Sequence, residues 1–387
     1  MAHDVAVLDF GSGRITVVIG ERGANNTINI KGIGESEYAG FMDGQFLEPE
    51  QLAMAVGHAV AKAETNSNSR IKHMYVGVPG EFSATICKNL SISLGRRRKV
   101  TDEDINLLHN QGEEDFAGSP DHKLINIQPI YYTLDSDQKI IRPEGVVASK
   151  LGGLISYVLA EKRFISEINA VMQKLDIETS DYISAPLAQV LFLFEGSMRD
   201  QYVLLVDVGH ITTSISLARG DGVLAQYNFS MGGGHITGDL ASALGISFAK
   251  AESLKRKVEL TLTATDADVY EIQPAKGQVE WFPAKLVNEV VSDRIALIAK
   301  MIEKCVNKCE YEFPEYIPYH LTGGGLCYLK GGRDILAHNL EKPVTVALSK
   351  IPQLDRPHLS GVLGLMDMIL KQTSDVKKSF LARLLGK

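Results

Sequence analysis

A two-lobed α/β fold, with an α+β module inserted in the first lobe, is predicted by three features of the chain. Residues 5–13 form an apolar strand that ends in Asp and runs into a Gly-rich turn. The same theme returns in the second half at 203–213. A third strand runs into three consecutive glycines at 320–325. The 387 residues exceed the usual single-domain size. A hydrophobic fraction of 45% and a charged fraction of 22% are those of a globular protein with a large core.

Val5–Phe10 is mostly apolar, as a strand buried on both faces should be. After Gly11-Ser12-Gly13 come strands at Ile15–Ile19 and about 27–34, which gives an antiparallel meander. Pro49 suits the first turn of a helix over 48–64, with Leu52, Val56, Ala59, Val60 and Ala63 on one face. Met74–Val78 reads as a strand. The stretch 81–159 differs in character. It holds a basic run, Arg96–Lys99, which reads as a solvated loop, with contact to an acidic partner or lipid as the alternative. A capping-box-like Thr101–Asp104 then opens a helix, and strand-like segments follow at 124–134 and 146–159. A helix is expected at about 164–175. The expected division is a first lobe of 1–80, continued at 160–190 and 357–372; an inserted module at 81–159; a second lobe of 191–255, continued at 311–356; its smaller subdomain at 256–310; and a tail at 373–387. In that smaller subdomain Trp281 reads as a core or edge aromatic.

A net charge of -7 argues against a nucleic-acid partner. Four cysteines (Cys87, Cys305, Cys309, Cys327) are too few for a disulfide scaffold, and Cys305 and Cys309 sit four apart in an apparent helix without a His cluster. They read as reduced thiols of a cytosolic protein. The first residues lack the basic and apolar regions of a signal peptide, and no stretch reaches the roughly 18 apolar residues of a spanning helix.

The Asp-Gly hairpins carry the chemistry. Glycines let backbone approach phosphate oxygens, and turn N–H groups and hydroxyls donate to them. An Asp at the strand end holds a hydrated Mg²⁺, which prefers one or two carboxylates plus water and phosphate. Two such hairpins in opposite halves, with the 323–325 turn to take a base or ribose against bare backbone, make a nucleotide clamp between lobes.

Asp9-Phe10-Gly11-Ser12-Gly13-Arg14 resembles the first phosphate loop of the actin/Hsp70 superfamily, whose fold is actin-like (ribonuclease H-like). Asp207-Val208-Gly209 with Thr212 and Thr213 resembles the second, and Thr322–Gly325 the adenosine motif. Pro186–Ala188 and Gly361–Leu365 resemble its two connecting segments. Within that superfamily the chain resembles the FtsA family over nearly its whole length. The matching segments are Gly40–Gly44, Tyr75–Gly80, Met231–Thr237 with Asp239-Leu240, and Ala251–Lys255, whose Glu252 and Lys255 the resemblance places at the nucleoside. The insertion lies where FtsA carries its interaction subdomain. The resemblance implies ATP or ADP with Mg²⁺ at Asp9 and Asp207. It also implies filaments, FtsZ and other division proteins as partners, and a place on the inner face of the membrane at the division site. Two departures count against hydrolysis. His210 and Ile211 replace glycines of the second loop, with Ser214 where an Asp is expected. Ala185 replaces the Glu or Gln that orients the attacking water.

In the tail, Phe380, Leu381, Leu384 and Leu385 share one helical face, with Lys378, Arg383 and Lys387 opposite, and no acid lies within the last twelve residues. Such a helix suits an anionic membrane surface, and FtsA-like proteins end in one. Lys371–Asp375 reads as a brief linker before it. The expected function is an actin-like tether of FtsZ filaments to the membrane with weak or absent hydrolysis. A true filament-remodelling ATPase and a PilM-like pilus-assembly adaptor are the alternatives.

Overall fold

The computed structural model describes residues 4–23, 27–136, 138–273, 278–349, 351 and 354–384, with backbone alone from 374 onward. The first lobe opens with the antiparallel meander β1 (Val5–Gly11), β2 (Arg14–Arg22) and β3 (Ile28–Glu37). A small hairpin, β4 (Phe41–Met42) and β5 (Gln45–Phe46), precedes α1 (Pro49–Ser67) and β6 (His73–Val78), which pairs parallel to β1.

The insertion is a four-stranded sheet in the order β7-β10-β8-β9, from β7 (Ser83–Lys99), β8 (His122–Thr133), β9 (Lys139–Ile140) and β10 (Val147–Glu161), with α2 (Asp102–Glu113) packed on it. The capping box is present at α2. Thr101 Oγ1 accepts from the Asp104 amide, and Asp104 Oδ2 accepts from the Thr101 amide. The basic run is not a loop. It ends the long strand β7, and Arg98 grips both carboxylate oxygens of Asp104 at 2.6 and 2.7 Å. That fork pair ties strand to helix.

After α3 (Lys162–Lys174), β11 (Glu178–Ser184) completes the first sheet in the order β3-β2-β1-β6-β11. Helices α4 (Ala185–Leu193) and α5 (Gly196–Arg199) lead to the second lobe. There β12 (Val203–Val208), β13 (Thr213–Arg219) and β14 (Gly222–Phe229) repeat the meander. Next come α6 (Gly233–Leu244), α7 (Phe248–Lys255), the two-stranded β15 (Val269–Ile272) and β16 (Glu280–Pro283), and α8 (Ala284–Val306). β17 (Tyr319–Thr322), α9 (Gly332–Leu340) and β18 (Val344–Val346) close the sheet as β14-β13-β12-β17-β18. Both sheets therefore share one topology, a meander plus two parallel strands. Finally α10 (Ser360–Leu384) returns to the first lobe.

Side-chain parity fixes where each sheet faces. Ala6, Leu8 and Phe10 enter the core under α1 and α3, whereas Val5 and Val7 face α10 and α4. Leu204, Val206 and Val208 enter the core around α8, whereas Val203 and Leu205 face α4. Helix α4 thus lies between the sheets, with Leu187 and Ala188 on the first and Val190 and Leu193 on the second.

Two further expectations change. Lys371–Asp375 is no linker, because the backbone of α10 runs through it. Cys309 lies beyond the end of α8, so only Cys305 of that pair is helical; all four thiols are free and partly buried. Trp281, 62% exposed on β16 of the two-stranded sheet, is the edge aromatic of the two readings. The tail residues Leu385 and Lys387 lie outside the described residues, as do the side chains of Lys378, Phe380, Leu381, Arg383 and Leu384.

Candidate functional site

Asp9 shares the parity of Val5 and Val7, and Asp207 that of Val203 and Leu205. Both carboxylates therefore leave the ends of their strands toward α4 and α10, into the cleft between lobes. A cavity of about 1090 Å³ opens there. Asp9, Gly11, Ser12, Gly13 and Arg14 line it from the first hairpin, and Asp207, Gly209 and Thr212 from the second. Glu252, Lys255, Gly323, Gly324 and Gly325 line the far side. Thr213 does not belong to it: it is fully buried, and its hydroxyl donates to the Met231 carbonyl at 2.6 Å.

Burial raises the cost of ionising both aspartates. Burial, with the Asp207 charge adding to it, pushes Asp9 up to about 7. Asp207 is raised by burial, a rise that the Gln189 amide partly offsets by donating at 2.7 Å. A buried carboxylate pair held in this state fits a hydrated divalent cation, which removes the repulsion. No cluster of three or more His, Cys, Asp or Glu arranged to hold a metal exists among the described residues. Water and ligand oxygens would complete the shell of such an ion.

The adenosine-type turn is built as its glycines require. Gly323 has φ +87, and a Cβ there would lie 2.2 Å from Asp207 Oδ1. A Cβ on Gly325 would lie 2.3 Å from the Gly209 carbonyl. Opposite, Lys255 Nζ sits 2.6 Å from Glu252 and also donates to the Gly233 carbonyl and Thr237. The Lys255 charge and the Thr237 hydroxyl hold the Glu252 carboxyl below its ordinary range, despite burial that raises it. The exposed ring of Phe248 and the Tyr328 ring flank this end.

The phosphate end is different. Ser12 Oγ accepts from the amides of Ile211 at 3.0 Å and Thr212 at 3.2 Å, so the two hairpin tips bond directly to each other. The carbonyls of Gly209 and His210 take the amides of Gly233 and Gly234, which start α6. The His210 ring, exposed toward the cleft, bridges the hairpins: a Cβ at Gly13 would meet it at 2.7 Å, and one at Gly234 also at 2.7 Å. Desolvation and then Lys255 push this histidine below its ordinary range. Ala185 places only a methyl at the start of α4. Gln189, one turn on, has its amide nitrogen committed to Asp207 and to Ser360 Oγ at 2.8 Å. Ser214 donates to Asn228 Oδ1 at 2.8 Å.

Two features of this site escaped sequence reasoning. Gln189 is a buried amide in an otherwise apolar helix, and that contrast was the available signal. The other is a clasp between lobes. Tyr328 Oη lies 2.5 Å from His358 Nδ1, His358 Nε2 lies 3.6 Å from Glu35, and Glu35 is bonded by Arg14 at 3.2 Å. Its members are far apart in sequence, so nothing local marks it.

Residues 204–364 match the family model described as cell division protein FtsA, and residues 84–159 match the SHS2 domain inserted in FtsA. The chain belongs to the FtsA family. Similar FtsA proteins include that of Enterococcus faecalis, 22% identical over 374 residues, covering 93% of this chain and 82% of that protein. Another is that of Rhizobium meliloti, 23% identical, covering 97% and 89%. Among solved structures, the PilM-PilN type IV pilus biogenesis complex aligns with a TM-score of 0.59 at 17% identity, covering 93% of this chain and 97% of that one. MreB 5 of Spiroplasma citri bound to AMPPNP aligns with a TM-score of 0.53 at 11% identity, covering 96% and 98%. These likenesses establish the actin-like fold. In this FtsA-family chain the SHS2 segment is the β7–β10 sheet with α2.

Proposed function

We propose that the chain is a membrane adaptor of cell division. It tethers FtsZ filaments to the inner face of the cytoplasmic membrane, recruits further division proteins through the inserted module, and self-associates into filaments. Membership of the FtsA family carries this reading. The basic, amphipathic sequence of 378–387 supports membrane attachment. No helix among the described residues is long and apolar enough to cross a membrane. A PilM-like role has only a fold likeness behind it.

The cleft binds a nucleotide at Glu252, Lys255 and the Gly323–Gly325 turn, and Asp9 with Asp207 would hold a hydrated Mg²⁺ beside it. That ion would neutralise charge on the phosphates. MreB 5 of Spiroplasma citri has been solved with AMPPNP and with ADP in the same fold. Hydrolysis is weak or absent, because Ala185 supplies no acceptor for a proton of the attacking water and the Gln189 amide nitrogen is held by Asp207.

Co-sedimentation with vesicles containing an anionic lipid tests the tether. The full chain should pellet with them, and a chain lacking residues 376–387 should stay in solution. Equal pelleting of both sinks the tether. Ala185→Glu combined with His210→Gly and Ile211→Gly should raise ATP turnover; no gain would show that these positions are not what limits it.

A further inference from the structure

The two ends of the cleft are built differently. The nucleoside end offers what such a ligand needs: bare backbone at Gly323–Gly325, a carboxylate at Glu252 and flanking rings at Phe248 and Tyr328. At the phosphate end four amides are already bonded within the protein. The Ile211 and Thr212 amides point at Ser12 Oγ, and the Gly233 and Gly234 amides point at the carbonyls of Gly209 and His210. A phosphate oxygen seeking any of these four amides must displace an existing bond and gains nothing net until it does so. The His210 ring also touches both Gly13 and Gly234, across the gap where a chain of phosphates would pass between the hairpins. The sec-butyl side chain of Ile211 packs at Gly40, where a Cβ would lie 2.8 Å from its Cδ1. Glycine at position 210 would leave the gap between the hairpins clear.

We propose that the His210 ring and the bonds of Ser12 to the Ile211 and Thr212 amides close the phosphate end of the cleft, so that it selects a nucleoside or its short-phosphate forms and discriminates against the terminal phosphate of a nucleoside triphosphate. This rests on the nucleotide reading above. The lobes are thereby bridged by protein bonds rather than by a ligand, and the adaptor holds its closed shape without a triphosphate. Discrimination arises from unpaired groups and steric conflict, and not from lost attraction alone.

Equilibrium titration with adenosine, ADP and ATP, each with Mg²⁺, tests the proposal on the wild-type chain and on His210→Gly/Ile211→Gly. Wild type should bind ATP at least about ten-fold more weakly than ADP. The double variant should gain about ten-fold or more for ATP, with adenosine affinity changed less than about three-fold. Wild type binding ATP as tightly as ADP overturns the proposal while leaving the nucleotide reading intact. So does a folded variant with an unchanged ATP-to-ADP ratio. Failure of all three ligands to bind either protein overturns the nucleotide reading and this proposal with it. The wild-type ratio decides the matter even where the variant does not fold.

Discussion

Ser12→Ala removes the side-chain oxygen that accepts two hydrogen bonds between the hairpin tips. Ser12 is 6% exposed, and its Oγ accepts from a part-buried amide at Ile211 and a buried one at Thr212. A buried donor left without an acceptor costs about 1–3 kcal/mol. The Thr212 amide is buried and takes that cost nearly in full, whereas the part-buried Ile211 amide takes less, so a total of about 2 kcal/mol follows. That energy corresponds to roughly a thirty-fold rise in the opening equilibrium of this turn. Hydrogen exchange read by mass spectrometry on peptides spanning 209–213 and 11–14 should show it. Peptides from α8, whose Val291 and Ile295 are fully buried in the second-lobe core, should exchange at the wild-type rate. A change below about three-fold at 211–212 would refute the idea that Ser12 bonds the lobes together.

Other expectations follow from the same geometry. Gly34→Ala should cost about 3 kcal/mol or more in denaturant unfolding, since a Cβ there would sit 1.9 Å from the Ala59 carbonyl of α1, a backbone atom that cannot rotate away. Gly364→Ala should separate α10 from α4, because its Cβ would lie 2.6 Å from the Ala188 carbonyl; a lowered melting temperature is the readout. Thr101→Ala should cost about 1 kcal/mol by removing the α2 cap, seen as faster exchange confined to the inserted module. Asp9 binds its proton more tightly folded than unfolded, so its contribution is fully present below about 3.8 and is lost as pH rises to about 7. Glu81, raised by burial to about 7, acts in the same direction. Melting temperature should therefore fall across that window, and Asp9→Asn should flatten the fall; an unchanged slope would mean that Asp9 is not a buried, repelled carboxylate.

Much of the fold was legible because both-face burial writes unbroken apolar strands, and the repeated strand–Asp–Gly–strand theme names two lobes. Helix α1 was legible because its buried residues recur at helical spacing. Strand β7 was missed although Leu90, Ile92 and Leu94 alternate, because Lys88 and Asn89 before them, Ser91 and Ser93 between them and a run of arginines after them suggested a loop. Arg98 has its role through Asp104, a partner supplied by the fold. At the site, residues defined by backbone approach were legible, since glycine at a strand end has few other uses. Thr213 was misplaced because strand parity sends neighbouring threonines to opposite sides: Thr212 lines the cleft and Thr213 enters the core. The bonds of Ser12 to the second hairpin and the clasp from Tyr328 to Arg14 join distant segments and leave no local trace.

Fluorescent FtsZ on a supported bilayer containing anionic lipid tests the adaptor role most directly. The full chain should recruit FtsZ filaments to the bilayer without measurable ATP turnover, and removing residues 376–387 should abolish recruitment. Recruitment that survives the deletion, or that appears only while ATP is being hydrolysed, would contradict that role.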